Sequence, residues 1–424
     1  MSLHKQKHLN EYYYIPTLYF VEGLPYAIVT MVSTIWFKDI NISLTEIGIA
    51  TTILYLPWTL KFIWAPIVDF YDTKKKWILK QQLILTILFL LLATTSLFFN
   101  SYIAFSVILL IIALASATQD IAIDGYYLEV LSSKQQAYFV GFRNTAYKIA
   151  WIFATGFLVF MAGNFEKYFS KNVSWAITLI IVSLSIMTAY LFHTMTLPNI
   201  IAKPKTKEKF TFYTLKKFIY VFLNYFNQSK IIAITLFILL YRLGESLLLK
   251  MASPFLLDLK INGGLNIPLT SLGLIYGTYG MLALLFGGIL GGYLISKLGL
   301  KKLLFPFALF QNLLILSYYY LSTVKPGINI ITILNALEQF AYGLGTSAYT
   351  IFLLQTVNPK FKSSHYAIAT ALMAFGVFIP QLFSGYLATG LGYSNYFILC
   401  AILSIPGLIT IFFLPIKEIN NGLS

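Results

Sequence analysis

The sequence predicts an all-α polytopic membrane protein, and three observations carry that assignment. Of 424 residues, 58% are hydrophobic and 11% charged, whereas soluble domains carry roughly a quarter charged residues. Mean hydropathy is +0.77. Apolar segments recur along the whole chain, many of them reaching the ~20 residues that cross ~30 Å of hydrocarbon.

By that length rule about twelve spans follow in order, at roughly 14–37, 45–68, 77–99, 102–130, 137–162, 173–195, 230–256, 270–295, 303–321, 327–355, 364–389 and 394–414. An even number places both termini on one side. The N-terminus reads as polar residues leading through Glu11 into a long span, without a short apolar core and small-residue cleavage site. The net charge of +15 sits in short connections, not on one contiguous basic face, so nucleic acid is not the expected partner. Lys5, Lys7, Lys74, Lys75, Lys76, Lys134, Lys203, Lys205, Lys207, Lys209, Lys216, Lys217, Lys297, Lys301, Lys302, Lys360, Lys362 and Lys417 fall in one set of loops. Lys38, Lys167, Lys171, Lys260 and Lys325 fall in the other. That asymmetry predicts cytoplasmic termini.

The longest connection, residues 196–229, separates a bundle over 1–195 from one over 230–424. It opens with alternating lysines from Lys203 to Lys209. Leu215, Phe218, Ile219, Phe222, Leu223 and Phe226 then recur at helical spacing, as expected of an interfacial amphipathic helix.

Catalytic and metal chemistry find little material. Cys400 is the single cysteine, and His4, His8, His193 and His365 lie at the terminus or at segment ends. An intramembrane enzyme needs a nucleophile and base together at depth, so no enzyme and no cofactor is expected. A non-transporting sensor has little need for buried charge in both halves.

Charges inside the spans are the candidate site, because an ionisable group at membrane depth is costly and marks a pathway, a relay or a partner ion. They are Glu22, Lys61, Asp120, Asp124, Arg143, Lys148, Arg242, Glu245 and Glu338; Glu129 and Lys250 are expected to snorkel from helix ends. Asp120 and Asp124 share a helical face one turn apart. Counting rise per residue, Asp124 and Arg143 lie roughly 10 Å deep, Asp120 and Lys148 roughly 16–18 Å, Glu22 and Lys61 roughly 12–14 Å. Equal depth on neighbouring helices predicts acid–base pairs. Proton-coupling roles are assigned to Asp120, Asp124, Glu22, Glu245 and Glu338. Arg143, Lys148, Arg242, Lys61 and Gln119 are assigned to substrate, since guanidinium pairs with carboxylate bidentately. Tyr126, Tyr127 and Tyr147 are the rings flagged beside these charges. Gly287, Gly288, Gly291, Gly292, Gly343 and Gly345 read as close helix packing.

Two loops echo each other. Ala65-Pro66-Ile67-Val68-Asp69-Phe70-Tyr71-Asp72-Thr73-Lys74-Lys75 follows span two, and Gly292-Tyr293-Leu294-Ile295-Ser296-Lys297-Leu298-Gly299-Leu300-Lys301-Lys302 follows span eight. Each resembles, degenerately, the loop motif G-x-x-x-D-R-x-G-R-R of the major facilitator superfamily. That resemblance implies its 12-helix fold, two six-helix bundles with a central cavity, and a gating role for Asp69, Lys297 and Lys301.

Within that superfamily, Phe20-Val21-Glu22-Gly23-Leu24-Pro25, Lys61-Phe62-Ile63-Trp64-Ala65-Pro66 and Ala117-Thr118-Gln119-Asp120-Ile121-Ala122-Ile123-Asp124-Gly125 resemble the peptide/acetyl-CoA transporter family. Tyr241-Arg242-Leu243-Gly244-Glu245, Gly343-Leu344-Gly345-Thr346-Ser347-Ala348 and Pro406-Gly407-Leu408 are similar to its AmpG-type muropeptide permeases. The resemblance covers almost the whole chain. It implies a monomer in the bacterial inner membrane that imports anionic, amphiphilic sugar-peptides from the cell wall on the proton gradient. The Gln119–Gly125 run is as similar to the acetyl-CoA branch, so a CoA ester is the alternative substrate.

Overall fold

A computed structural model describes residues 11–70, 72–98, 101–198, 220, 222–357 and 362–416. Side chains at 62, 66, 69, 70, 133, 134, 137, 140, 362–364 and 367 also lie outside the description. Most of the 196–229 connection, including Leu215, Phe218 and Ile219, falls outside it as well, as does the Asp69 side chain. All regular structure among the described residues is helical.

Nine helices among these residues are long and apolar enough to cross a membrane: Glu11–Asp39, Lys74–Phe98, Tyr102–Val130, Gly141–Phe165, Lys171–Thr196, Ile231–Leu257, Leu269–Leu298, Leu300–Val324 and Ile368–Phe413. The differences from the twelve expected spans have physical causes. Spans eleven and twelve run together as one 46-residue stretch, interrupted at Gly392, whose φ of 70° no helix contains. Span ten, Ile328–Gln355, is a 28-residue helix whose buried side includes Asn335, Glu338 and Gln339, which dilutes its apolar character.

Span two is not one helix. It runs as Leu44–Ile53, Leu56–Leu60, a 3-10 turn Lys61–Ile63 and Ala65–Phe70. Pro57 and Pro66 each stand in the first turn of a new segment, where a missing N–H costs nothing but the preceding helix cannot continue. Irregular backbone is tolerated at membrane depth only where protein or a watery cavity covers it.

Proline also shapes span one. Pro25 cannot donate to the Val21 carbonyl one turn earlier. Gln119 Nε2 donates to that oxygen instead, at 3.2 Å, so a buried acceptor is satisfied from span four. Just beyond, Ile28–Val32 forms a π-helical turn, and Phe153–Leu158 does the same in span five.

The chain divides into two compact units. The first comprises the described parts of Met1–Ile42, Ala50–Lys205 and Pro268–Gly277; the second comprises those of Ser43–Ile49, Thr206–Ile267 and Thr278–Ser424. In the first, Tyr14, Tyr19, Val68, Ile78, Tyr126 and Phe139 share one apolar core. In the second, Phe237, Tyr241, Leu304, Tyr349 and Phe352 share another.

Each unit takes in one short segment from the far part of the sequence, and glycine makes the fit. A Cβ on Gly277 would lie 2.0 Å from the Thr155 carbonyl oxygen, and one on Gly385 would lie 1.8 Å from that of Leu44. Gly287 and Gly343 also pack as expected, but Gly292 has open space around its Cα, so its place in the glycine set is corrected.

One polar knot ties the ends of spans one, five and six. Lys171 Nζ donates to Asp39 Oδ1 at 2.8 Å and to its backbone oxygen at 2.5 Å, and Trp175 Nε1 donates to Oδ2 at 2.9 Å. Glu166 stands beside them. Burial pushes its carboxyl up to about 8, hydrogen bonding to Asp39 and repulsion from it add to the rise, and Lys171 opposes it.

Candidate substrate and proton site

In the first unit, span four presents Asp120 and Asp124 one turn apart, and each meets its own cation. Lys61 Nζ donates directly to Asp120 Oδ2. The 3-10 turn of the broken span two carries that lysine. Arg143 Nη2 lies 3.5 Å from Asp124 Oδ1, which also accepts from the Tyr19 hydroxyl at 2.9 Å. The guanidinium lies over the rings of Tyr19 and Tyr127, at 4.5 and 5.1 Å, a geometry that suits a weakly hydrated planar cation.

Glu22 completes this cluster from span one. Its carboxyl adjoins that of Asp120 within hydrogen-bonding reach, and one oxygen, Oε2, is buried with no partner among the described residues. Two carboxyls this close form an arrangement able to share a proton. The two aspartates differ in access. Asp120 is 12% exposed in its side chain and Asp124 43%, so Asp124 with Arg143 is the half of the cluster open to solute.

The pairing differs from the depth-matched expectation. Lys61 joins Asp120 although Glu22 lay nearer its expected level, because the break in span two displaces it from ideal helical rise. Lys148 joins neither aspartate. Its Nζ lies 5.8 Å from the centroid of the Trp151 ring, and it forms no ion pair among the described residues. Helical phase decides this: Arg143 and Lys148 are five residues apart and point to different sides of one helix.

The second unit holds a different arrangement. Arg242 donates from Nη1 to the Tyr342 hydroxyl and from Nη2 to Thr346 Oγ1, both at 3.0 Å, and stacks over Tyr342 and Tyr349 at 5.2 Å from each. Its Nε is buried without a partner among the described residues. Glu245, 1% exposed, lies close to Glu338 and Gln311. Neither of its oxygens makes a well-formed hydrogen bond among the described residues. Glu338, also 1% exposed, accepts from Gln339 Nε2 at 2.9 Å. Two carboxyls enclosed this closely form a second arrangement able to share a proton.

The remaining sequence candidates lie apart. Gln119 is fully buried and holds the Val21 carbonyl rather than facing an open site. Lys297 and Lys301 are exposed at the junction after Leu298, with Lys297 6.0 Å from the Tyr293 ring centroid. Lys250 does not snorkel: it is 6% exposed, and seven residues from the helix end at Leu257 put it about 10 Å too deep. Tyr126 bonds the Pro198 carbonyl, a structural tie.

Tyr19, Gln311, Tyr342 and Thr346 belong to the site and were not read from sequence. Tyr19 sits one turn before Glu22, so helical phase alone was enough to find it. Tyr342 and Thr346 are a hundred residues from Arg242, and no local pattern connects them.

Comparison with known proteins follows this geometry. Residues 11–230 match the family model described as Acetyl-coenzyme A transporter 1, and residues 236–423 match that of the Major Facilitator Superfamily. An uncharacterized protein of Haemophilus influenzae is 28% identical, over 96% of this chain and 95% of that one. The anhydromuropeptide permease of Escherichia coli K12 is 24% identical, over 92% of this chain and 77% of that one. Among solved structures, a bacterial homolog of the human lysosomal transporter Spinster superposes with a TM-score of 0.70 at 14% identity, covering 95% of each chain.

Proposed function

The chain belongs to the acetyl-coenzyme A transporter 1 family of the major facilitator superfamily, and from that premise we propose a proton-coupled importer of anionic cell-wall sugar-peptides. It is a multi-span membrane transporter. The single observation that supports the finer reading is the pairing, in each unit, of a ring-stacked arginine with a separate enclosed carboxyl pair: Arg143 with Glu22 and Asp120, and Arg242 with Glu245 and Glu338. The arginine is suited to a substrate carboxylate and the carboxyl pair to a proton. The name of the Escherichia coli relative supports an anhydromuropeptide as the substrate.

In the mechanism, a substrate carboxylate displaces Asp124 from Arg143. The freed aspartate, still bonded to Tyr19, takes a proton, which offsets its lost partner. Lys61 stays with Asp120 while that carboxyl is ionised and is released when Asp120 takes a proton. The bundles over 1–195 and 230–424 then exchange access between the two faces of the inner membrane, with both termini cytoplasmic.

Uptake of labelled anhydromuropeptide into vesicles under an imposed pH gradient tests this. Asp124→Asn and Asp120→Asn, singly and together, are expected to abolish gradient-driven uptake; unchanged uptake in both sinks the mechanism. The acetyl-CoA reading is kept because the family model over residues 11–230 bears that description. Counterflow in proteoliposomes, acetyl-CoA against muropeptide, separates the two.

A further inference from the structure

Beside the charged cluster of the first unit, four aromatic rings close around Tyr26, the five together coming from three spans. Its ring centroid lies 4.8 Å from Trp58, 5.6 Å from Trp151, and 6.2 Å from both Tyr147 and Tyr55. All five residues are half-buried rather than lipid-exposed or sealed. Bulk packing in a lipid-facing layer does not require what surrounds them.

All three backbones leave the α-helical path at this level. Tyr26 stands two residues before the π-helical turn of span one, and Trp151 two residues before that of span five. Tyr55 and Trp58 flank the start of a new segment in the broken span two. π-turns and breaks cluster at functional sites, and at membrane depth they are tolerated where a cavity is lined.

The rings are also phased with the charged groups. Glu22 and Tyr26, Trp58 and Lys61, and Lys148 and Trp151 are each one helical turn apart, hence on common faces. Lys148, which pairs with no acid among the described residues, lies at the edge of the cluster by Trp151. Unused hydrogen-bonding capacity is present as well. Thr59 Oγ1 is buried without a partner among the described residues, and Trp151 stands within hydrogen-bonding reach of the Tyr147 hydroxyl.

The ring angles discriminate between ligands. Tyr26 meets its four neighbours at 86°, 45°, 46° and 67°, so none of these four pairs is a set of parallel plates that would sandwich a flat nucleobase. A puckered ring bearing C–H groups on its faces and hydroxyls on its rim suits a tilted box of this kind. Its C–H edges meet the negative faces of the rings, while three phenol hydroxyls, an indole N–H and the free oxygen of Glu22 serve its polar rim.

We propose that Tyr26, Tyr55, Trp58, Tyr147 and Trp151 form a pyranose-binding subsite that holds an N-acetylhexosamine ring of the substrate. The inference deepens the reading above and rests on it. The subsite grips the sugar, Arg143 of the same unit grips a carboxylate of the peptide, and a peptide without sugar engages only half of the site.

Calorimetry on the purified full chain tests it with three probes: the N-acetylglucosaminyl-anhydro-N-acetylmuramyl disaccharide without peptide, the free wall tripeptide, and coenzyme A. The disaccharide is expected to bind, and Trp58→Leu and Trp151→Leu each to weaken it at least tenfold while tripeptide binding holds. In the double variant Trp58→Phe, Trp151→Phe, which conserves packing, the disaccharide is expected to bind but no longer to change tryptophan fluorescence. Tight disaccharide binding unmoved by the leucine variants, or a fluorescence change persisting in the phenylalanine variant, overturns the subsite and leaves the muropeptide reading standing. Coenzyme A binding without disaccharide binding overturns both.

Discussion

Lys61 reaches Asp120 from a 3-10 turn that only the break in span two makes available. Replacing Lys61 by Met strands Asp120 against Glu22. Removing one partner of a fully buried pair costs about 3–5 kcal/mol, and with a third of the Lys61 side chain exposed the cost here is about 1–2 kcal/mol. The double variant Lys61→Met, Asp120→Asn should recover part of that loss, with a coupling of about 0.5–3 kcal/mol. Thermal melting of the four proteins closes the cycle; strict additivity would show that the pair is not coupled.

Arg143→Lys keeps the charge and loses both the planar stacking on Tyr19 and Tyr127 and the fork that takes a carboxylate. Uptake at limiting substrate should fall at least tenfold, with the apparent KM rising more than the maximal rate falls. Initial-rate transport with the two proteins reconstituted at equal density measures this.

Among the described residues Glu245 and Glu338 form no ion pair, Arg242 being engaged by Tyr342 and Thr346. If this pair carries the coupled proton, Glu338→Gln should retain substrate exchange and lose accumulation driven by a pH gradient. Counterflow and gradient-driven uptake on the same proteoliposomes give the two readouts. Loss of both together would assign Glu338 to the fold instead.

The Asp39–Glu166–Lys171 knot gives stability a pH dependence of definite sign. Glu166 is raised from 4.5 to about 8, so between those values the folded chain binds more protons than the unfolded one. Stability contributed by this group is therefore full below 4.5 and is lost as pH rises toward 8. The melting temperature should decline over that interval in the wild type, and Glu166→Gln should flatten the decline. A curve of the same slope in both proteins would contradict the assignment.

Much of the candidate site is legible in the sequence. Charge in an apolar helix is an energetic anomaly that sequence exposes directly, so Glu22, Asp120, Asp124, Arg143, Arg242, Glu245 and Glu338 all emerge from depth alone. Their partners do not. Depth counted along ideal helices assumed that span two was continuous, and the prolines at 57 and 66 invalidate that count for Lys61. Lys148 failed for a second reason, its helical phase relative to Arg143. The aromatic box was invisible because each ring, taken singly, is ordinary membrane-protein bulk; only the convergence of three helices, two of them with π-turns that no propensity predicts, gathers them. Conversely, span ten escapes a hydropathy threshold because the buried residues that matter on it are polar.

Close packing on glycine yields a further expectation. A Cβ on Gly244 would stand 2.1 Å from the Cys400 carbonyl oxygen, next to Glu245. Gly244→Ala should shift the backbone of span twelve and cost about 1–3 kcal/mol, lowering the melting temperature. Normal melting would show that the helix yields freely at that contact.

The borrowed segments, Ser43–Ile49 in one unit and Pro268–Gly277 in the other, bear on how this family can recombine. A chimera cut at the long central connection would join each half to a stranger's glycine seam, with Gly277 meeting a foreign carbonyl in place of Thr155 and Gly385 one in place of Leu44. The exchangeable module is therefore a half with its ten or so guest residues carried across. Natural hybrids and engineered fusions that respect the chain midpoint alone should assemble poorly, whatever their substrate residues.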